Sequence, residues 1–197
     1  MQTGITAPPI GGGEATRRSA IRYGMARTAL LAALFVTLLL PQAGWGGAQR
    51  PVERRVVTLE TLLLLEVNSV RRSHGLRPLK ASPRLERAAL AHTRSMLTLG
   101  YFAHQSFDGT SFSDRVKRFY PARNKGWTVG ENLAMFGGVT PSARQVVRAW
   151  LASPGHRANL LRPFFREAGF AVLQHPSPGG VFEGAPTVLV TLDLGRR

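Results

Sequence analysis

Four residues scattered along the chain are of the types that hold metal ions or move protons. His104 stands in Tyr-Phe-Ala-His-Gln, Glu131 in Val-Gly-Glu-Asn, His156 in Ser-Pro-Gly-His-Arg and Glu167 in Arg-Glu-Ala-Gly. Neutral imidazole is a common ligand for zinc and suits several other divalent ions. Two histidines leave positions open on a tetrahedral ion, where water can bind as it does in catalytic zinc sites. A glutamate beside that water could take its proton, and another could fix an imidazole ring from behind. Glu131 and Glu167 are candidates for either task. A metal-free version would use the two glutamates as an acid/base pair, with their separation deciding the chemistry. Intervals of 27, 25 and 11 residues do not by themselves force the four together. Taken singly, each histidine also fits a half-buried, hydrogen-bonded ring, and each glutamate a cap or a surface ion pair.

His156 is the third residue after Ser153, inside the first turn of a predicted short helix. The positive end of the helix dipole opposes protonation there and favours a neutral ring. Ser153 reads as that helix's N-cap, not as a nucleophile. His92 lies on the apolar face of another predicted helix and reads as a core or rim histidine. Trp127 and Trp150 read as core, and His74 and His175 as solvated residues at element ends.

The elements that must carry these residues follow from periodicity and capping. Thr58 can cap a helix through about Ser73, stopped by Gly75; Leu59, Leu62, Leu63, Leu65, Val67 and Val70 make it apolar on most sides, which predicts burial all round. Ser82 and Pro83 open a second helix that Gly100 ends, with His104 just beyond. A short helix is predicted at Ser113–Phe119 and an extended segment at Trp127–Phe136. Thr140 and Pro141 open a further helix with an apolar face of Ala143, Val146, Val147, Trp150 and Leu151. Ala168–Gln174 and Thr187–Leu194 read as paired strands joined by a long loop over Pro176–Pro186. Helices first and strands last predict an α+β fold, a small antiparallel sheet sandwiched between helices.

The chain has 197 residues, no cysteine and a formal charge of +15. Disulfides and thiolate metal sites are therefore excluded. Thr28–Leu40 is an uncharged apolar run, too short for a typical spanning helix but suited to the core of a secretory signal. Read from Met25, with Gly46-Gly47-Ala48 as cleavage site, residues 25–48 form a compact signal peptide. Residues 1–24 then read as a disordered extension or as sequence ahead of the true start, residues 49–57 as a linker and residues 58–195 as the folded domain. The alternative is an uncleaved signal that anchors the protein to a membrane. After Ala48 come 22 basic and 10 acidic residues, a net +12. For an exported protein that charge points to anionic lipid or cell-wall polymer and not to nucleic acid. Lysine occurs only at Lys80, Lys117 and Lys125, so arginine dominates, as a GC-rich coding bias would also produce.

The order and context of several motifs carry a resemblance. They are Val67-Asn68 with Arg71 and Gly75; Leu79 and Leu85; Ala91 and Met96; Tyr101-Phe102-Ala103-His104; Gly130-Glu131-Asn132; Trp150 with Ser153-Pro154-Gly155-His156-Arg157 and Asn159-Leu160-Leu161; Pro163, Phe165, Glu167 and Gly169; and Val190–Gly195. From about Leu59 to Gly195 the chain resembles the CAP superfamily of cysteine-rich secretory, antigen 5 and pathogenesis-related proteins (SCP domains), in its bacterial cysteine-free branch. The resemblance implies a three-layer α-β-α sandwich with a cavity tetrad of His104, Glu131, His156 and Glu167. It implies that His104 and His156 bind a divalent metal, usually zinc, with the glutamates close by. A secreted, monomeric module that binds a ligand or the cell envelope is the expected function. The alternative is a metal-dependent peptidase or cell-wall hydrolase, with Glu131 or Glu167 as the catalytic base.

Overall fold

The structure, a computed structural model, describes residues 54–55, 57–123 and 126–197. The expected extension, signal peptide and most of the linker lie outside the described residues. Among the described residues no helix is long and apolar enough to cross a membrane.

The last strand organises the fold. In β5 (Thr187–Arg196) Val188, Val190, Leu192 and Leu194 point to one face, and Leu189, Thr191 and Asp193 to the other. Nearly every residue is buried, as a strand covered on both faces requires. It pairs antiparallel with β4 (Glu167–His175) on one side and β3 (Thr128–Gly137) on the other. Two short strands share the outer edge of β4. β1 (Arg54–Arg55) is antiparallel to its end, and β2 (Lys80–Ala81) is parallel to its start. The sheet order is β1-β4-β5-β3, so β3 is an edge strand. The expected antiparallel sheet is therefore mixed, and part of the expected linker supplies β1.

Helices cover both faces. α1 (Val57–Ser73), α4 (Ala143–Ala152) and the short α5 (Pro154–Leu160) pack on the face of Val190 and Leu192. α2 (Pro83–Leu99) and α3 (Phe112–Phe119) pack on the other. This is the expected α+β, three-layer α-β-α sandwich. Trp150 anchors the first layer, its Nε1 donating to the Leu133 carbonyl at 3.1 Å. In the second, α2 lies so close to β4 that a Cβ on Gly169 would sit 2.0 Å from the Glu86 nitrogen, so only glycine fits there.

Two local expectations are corrected. α1 is not buried all round: Leu59, Leu63 and Val67 are, but Leu62 and Leu65 are about half exposed, because one sheet and one neighbouring helix cover only one stripe. α4 starts two residues late. Ser142 caps it and Gln145 reaches back to the Ser142 nitrogen, a reciprocal capping box that outcompetes Thr140-Pro141.

A buried arginine closes the first layer. Arg71, fully inaccessible, donates to the carbonyls of Arg77 at 3.0 Å, Leu160 at 2.7 Å, Arg162 at 3.1 Å and Phe165 at 3.4 Å. It is thus held by backbone oxygens from two connections distant in sequence. Burial lowers its pKa, yet a guanidinium stays charged. Charged hydrogen bonds contribute about 1.5–3 kcal/mol each, which offsets a desolvation cost of several kcal/mol. Arg71→Leu removes the donors and strands the carbonyls. The expected loss is about 3 kcal/mol of unfolding free energy, read from urea denaturation. A loss under about 1 kcal/mol would show that the carbonyl cluster does not need it.

Candidate functional site

The site is built around Glu131 on the edge strand β3. Odd residues of β3 face α2 and α3, so Glu131 enters the second layer, where its side chain is only 1% exposed. Its Oε1 accepts from His104 Nδ1 at 2.8 Å, and its Oε2 accepts a short bond from Arg115 Nη2. Arg115, on α3, also donates from Nη1 to the His104 carbonyl at 2.8 Å and the Ser106 hydroxyl at 3.2 Å. Behind them the buried His92 of α2 holds the Ala103 carbonyl through Nε2 at 2.9 Å. Three side chains thus fix the loop that ends α2. His104 itself remains 54% exposed. With Nδ1–H donated to a carboxylate, the ring's lone pair lies on Nε2.

His156 is brought to the same place by a different device. Asn132 donates to the His156 carbonyl at 3.0 Å; Asn159 donates to the Glu131 carbonyl at 3.1 Å and to Asn132 Oδ1 at 3.0 Å. The two asparagines lash α5 to the edge of β3. Gly130 admits the contact, since a Cβ there would lie 2.7 Å from the Phe165 ring. The His104 and His156 ring centroids end 6.4 Å apart. Burial, then the neighbouring His104, holds the His156 pKa below its ordinary value. The direction matches the expectation from the helix terminus; burial and His104, though, are the causes, and α5 is only seven residues long. Ser153 occupies the N-cap position without a side-chain cap bond.

Glu167 makes its contacts elsewhere. It pairs with Gly195 of β5, whereas Glu131 pairs with Asp193. Two strand spacings, across β5, and two residues separate the Cα atoms of the glutamates, roughly 12 Å by strand spacing and rise. The Tyr120 ring fills the gap, within 2.7 Å of where a Gly195 Cβ would be. Tyr120 donates a short hydrogen bond to Glu167 Oε2, and Arg197 Nε lies 3.7 Å from the same oxygen. Three members of the expected tetrad meet; the fourth faces a separate, cationic region. Among the described residues no group of three His, Cys, Asp or Glu side chains is arranged to hold a metal ion.

Two participants escaped the sequence reading. One is Arg115, one arginine among many. The other is Asp193, fully buried next to Glu131. Burial first, then the Glu131 charge, pushes its carboxyl well above the ordinary range, with Arg115 opposing. Ionised, neither Asp193 oxygen would have a donor; holding a proton, it hydrogen-bonds to Glu131. An aspartate inside the apolar run Thr187–Leu194 was the available signal.

Comparisons with known proteins bear on the same residues. The profile of the cysteine-rich secretory protein family, CAP, matches residues 64–190. The uncharacterised protein YkwD of Bacillus subtilis is 36% identical over 125 residues, covering 64% of this chain and 44% of that protein. The chain thus spans less than half the length of this curated relative. The solved structure of an outer surface protein from Borrelia burgdorferi is similar at a TM-score of 0.58, with 18% identity over 75% of this chain and 99% of that one. An extracellular protein containing a SCP domain from Bacillus anthracis gives 0.55, with 24% identity over 71% of this chain and 41% of that one.

The buried titratable groups make stability depend on pH. His92 titrates near 6.5 when unfolded, but burial holds it down to about 4 in the fold, with Arg115 and His104 reinforcing and Glu131 opposing. Above the unfolded value both states are neutral and the stability is fully present. Between that value and about 4 the unfolded chain takes up the proton first, draining up to about 3 kcal/mol. Asp193 acts oppositely, since the fold binds its proton more tightly than the unfolded chain does. The urea midpoint is expected to fall between about pH 6.5 and about pH 4, less in His92→Gln and more in Asp193→Asn. Identical profiles for the three proteins would refute this assignment.

Proposed function

The chain belongs to the cysteine-rich secretory protein family, CAP, and from that premise we propose that it is an extracellular binding module whose ligand meets the His104–His156 cleft. Three considerations support an envelope setting. Similar folds include an outer surface protein and an extracellular one. The net charge suits anionic lipid or cell-wall polymer. The segment ahead of Gln49 has the composition of an export signal.

The observation that carries binding over hydrolysis is the state of Glu131. Each of its oxygens holds a neighbouring side chain and its own side chain is only 1% exposed, so it orients His104 and stands where water does not reach it. Glu167, its Cα roughly 12 Å from that of Glu131 by strand geometry, bonds to Tyr120. A hydrolase built on this cleft would have to use His104 Nε2 as its base.

The same geometry bears on metal. Two imidazoles, one with a carboxylate behind it and one with a lowered pKa, are suitable nitrogen donors. Permanently held zinc takes three or four protein ligands. The pair therefore fits a divalent ion bound weakly, with ligand or water in the remaining positions. Such an ion would supply Lewis acidity and a coordination point for a ligand carboxylate or phosphate.

Titration calorimetry with zinc tests this. We expect one weak site, lost in His104→Ala/His156→Ala and weakened about 10–100-fold in Glu131→Gln, as for a residue that orients a ligand ring. Unchanged zinc stoichiometry in the double variant would remove the metal. Unchanged affinity with lost hydrolytic turnover in Glu131→Gln would restore the catalytic reading.

A further inference from the structure

A second concavity opens at the end of the sheet where β4 begins and β5 finishes. It has a volume of about 580 Å³, and five cations line it: Arg77, Lys80, Arg123, Arg166 and Arg197. They come from four parts of the chain: the α1–α2 connection, the loop after α3, the start of β4 and the end of β5. Register brings them together, since Lys80 of β2 pairs directly with Glu167 and Gly195 pairs with it from the other side. Like charges gathered this way repel one another, which opposes folding. Glu167 is the lone acid in the lining, and Tyr120 and Arg197 already engage it.

Two of the guanidinium groups are held in place. Arg166 Nη1 is pinned by the carbonyls of Pro163 at 2.6 Å and Phe165 at 2.9 Å. Arg197 lies over the Tyr120 ring at 4.8 Å. Its Nη1 is buried and has no acceptor among the described residues. A buried guanidinium N–H without a partner is costly unless an acceptor arrives from outside. Arg77, Lys80 and Arg123 are exposed and line the same concavity.

We propose that this cavity is an oxyanion site for a ligand carrying two or more phosphate groups. One carboxylate would leave most of the positive charge unanswered. A phosphate group brings between one and two negative charges and three acceptor oxygens, matching forked guanidinium donors. The volume exceeds what one phosphate needs. The site lies beyond Tyr120 from the His104–His156 cleft and does not rest on the reading given for that cleft.

Pyrophosphate is the probe, measured by calorimetry on the full chain. Arg77→Gln/Lys80→Gln is expected to weaken it by at least about tenfold. Arg144→Gln/Arg148→Gln, on the exposed side of α4, removes the same charge and is expected to change it less than about twofold. Glu167→Gln, which keeps an acceptor for Tyr120 but removes the competing charge, is expected to tighten it. Equal losses in the two double variants would reduce the effect to diffuse charge and overturn the proposal, as would no binding to the unaltered protein at millimolar pyrophosphate. Vesicles of phosphatidylcholine with and without cardiolipin, a lipid whose headgroup carries two phosphates, separate the sources. Cardiolipin-dependent sedimentation that pyrophosphate competes and Arg77→Gln/Lys80→Gln abolishes assigns a lipid headgroup; pyrophosphate binding without sedimentation assigns a soluble compound with two or more phosphates. Zinc titration of the same variants reports on the cleft separately, so failure of one site leaves the other standing.

Discussion

The ion pair between Glu131 and Arg115 is the contact on which this site depends. Both side chains are nearly inaccessible, and desolvating each costs several kcal/mol. The pair is tolerated because its remaining atoms are used: Glu131 receives His104, and Arg115 holds the His104 carbonyl. Removing one partner of such a pair typically costs about 3–5 kcal/mol, since the other charge is left buried alone. The same pair acts on Asp193: burial first, then the Glu131 charge, push its carboxyl well above the ordinary range, and Arg115 opposes the shift.

That contact also divides the labour around the cleft. The second layer supplies a rigid back wall of α2, α3 and β3, which orients His104 and leaves the ring's lone pair on Nε2. The first layer supplies His156 through α5, fastened by Asn132 and Asn159 to the edge of β3. An edge strand suits this task, because a helix can wrap its free side and present a residue to the opposite face. Tyr120, seated on Gly195 and bonded to Glu167, separates the imidazole cleft from the cationic cavity. One sheet face thus carries two chemistries.

Much of this was legible from local pattern. Ser82-Pro83 and Gly100 bound α2 almost to the residue, and Gly100 takes the left-handed conformation its position required. His92 was readable as buried because it fell on an apolar helical stripe. Other features were not legible, for specific reasons. Leu62 and Leu65 look like core in sequence, yet which side of α1 meets the sheet is decided by the sheet's position. Arg71 and Arg115 resemble any arginine in a basic chain; only carbonyls and a carboxylate distant in sequence make them structural.

Residue types and their order alone determined a cysteine-free α+β chain of this family, with two histidines and Glu131 set in turn-rich contexts. These depend on short-range rules of capping, periodicity and glycine geometry, which act within a few residues. Which acids join the histidines was decided only by tertiary structure. Strand register turns Glu131 and Asp193 into the histidine layer and carries Glu167 past Tyr120 into a ring of cations. Register follows from packing whole faces against helices, a constraint that no single stretch of the chain contains.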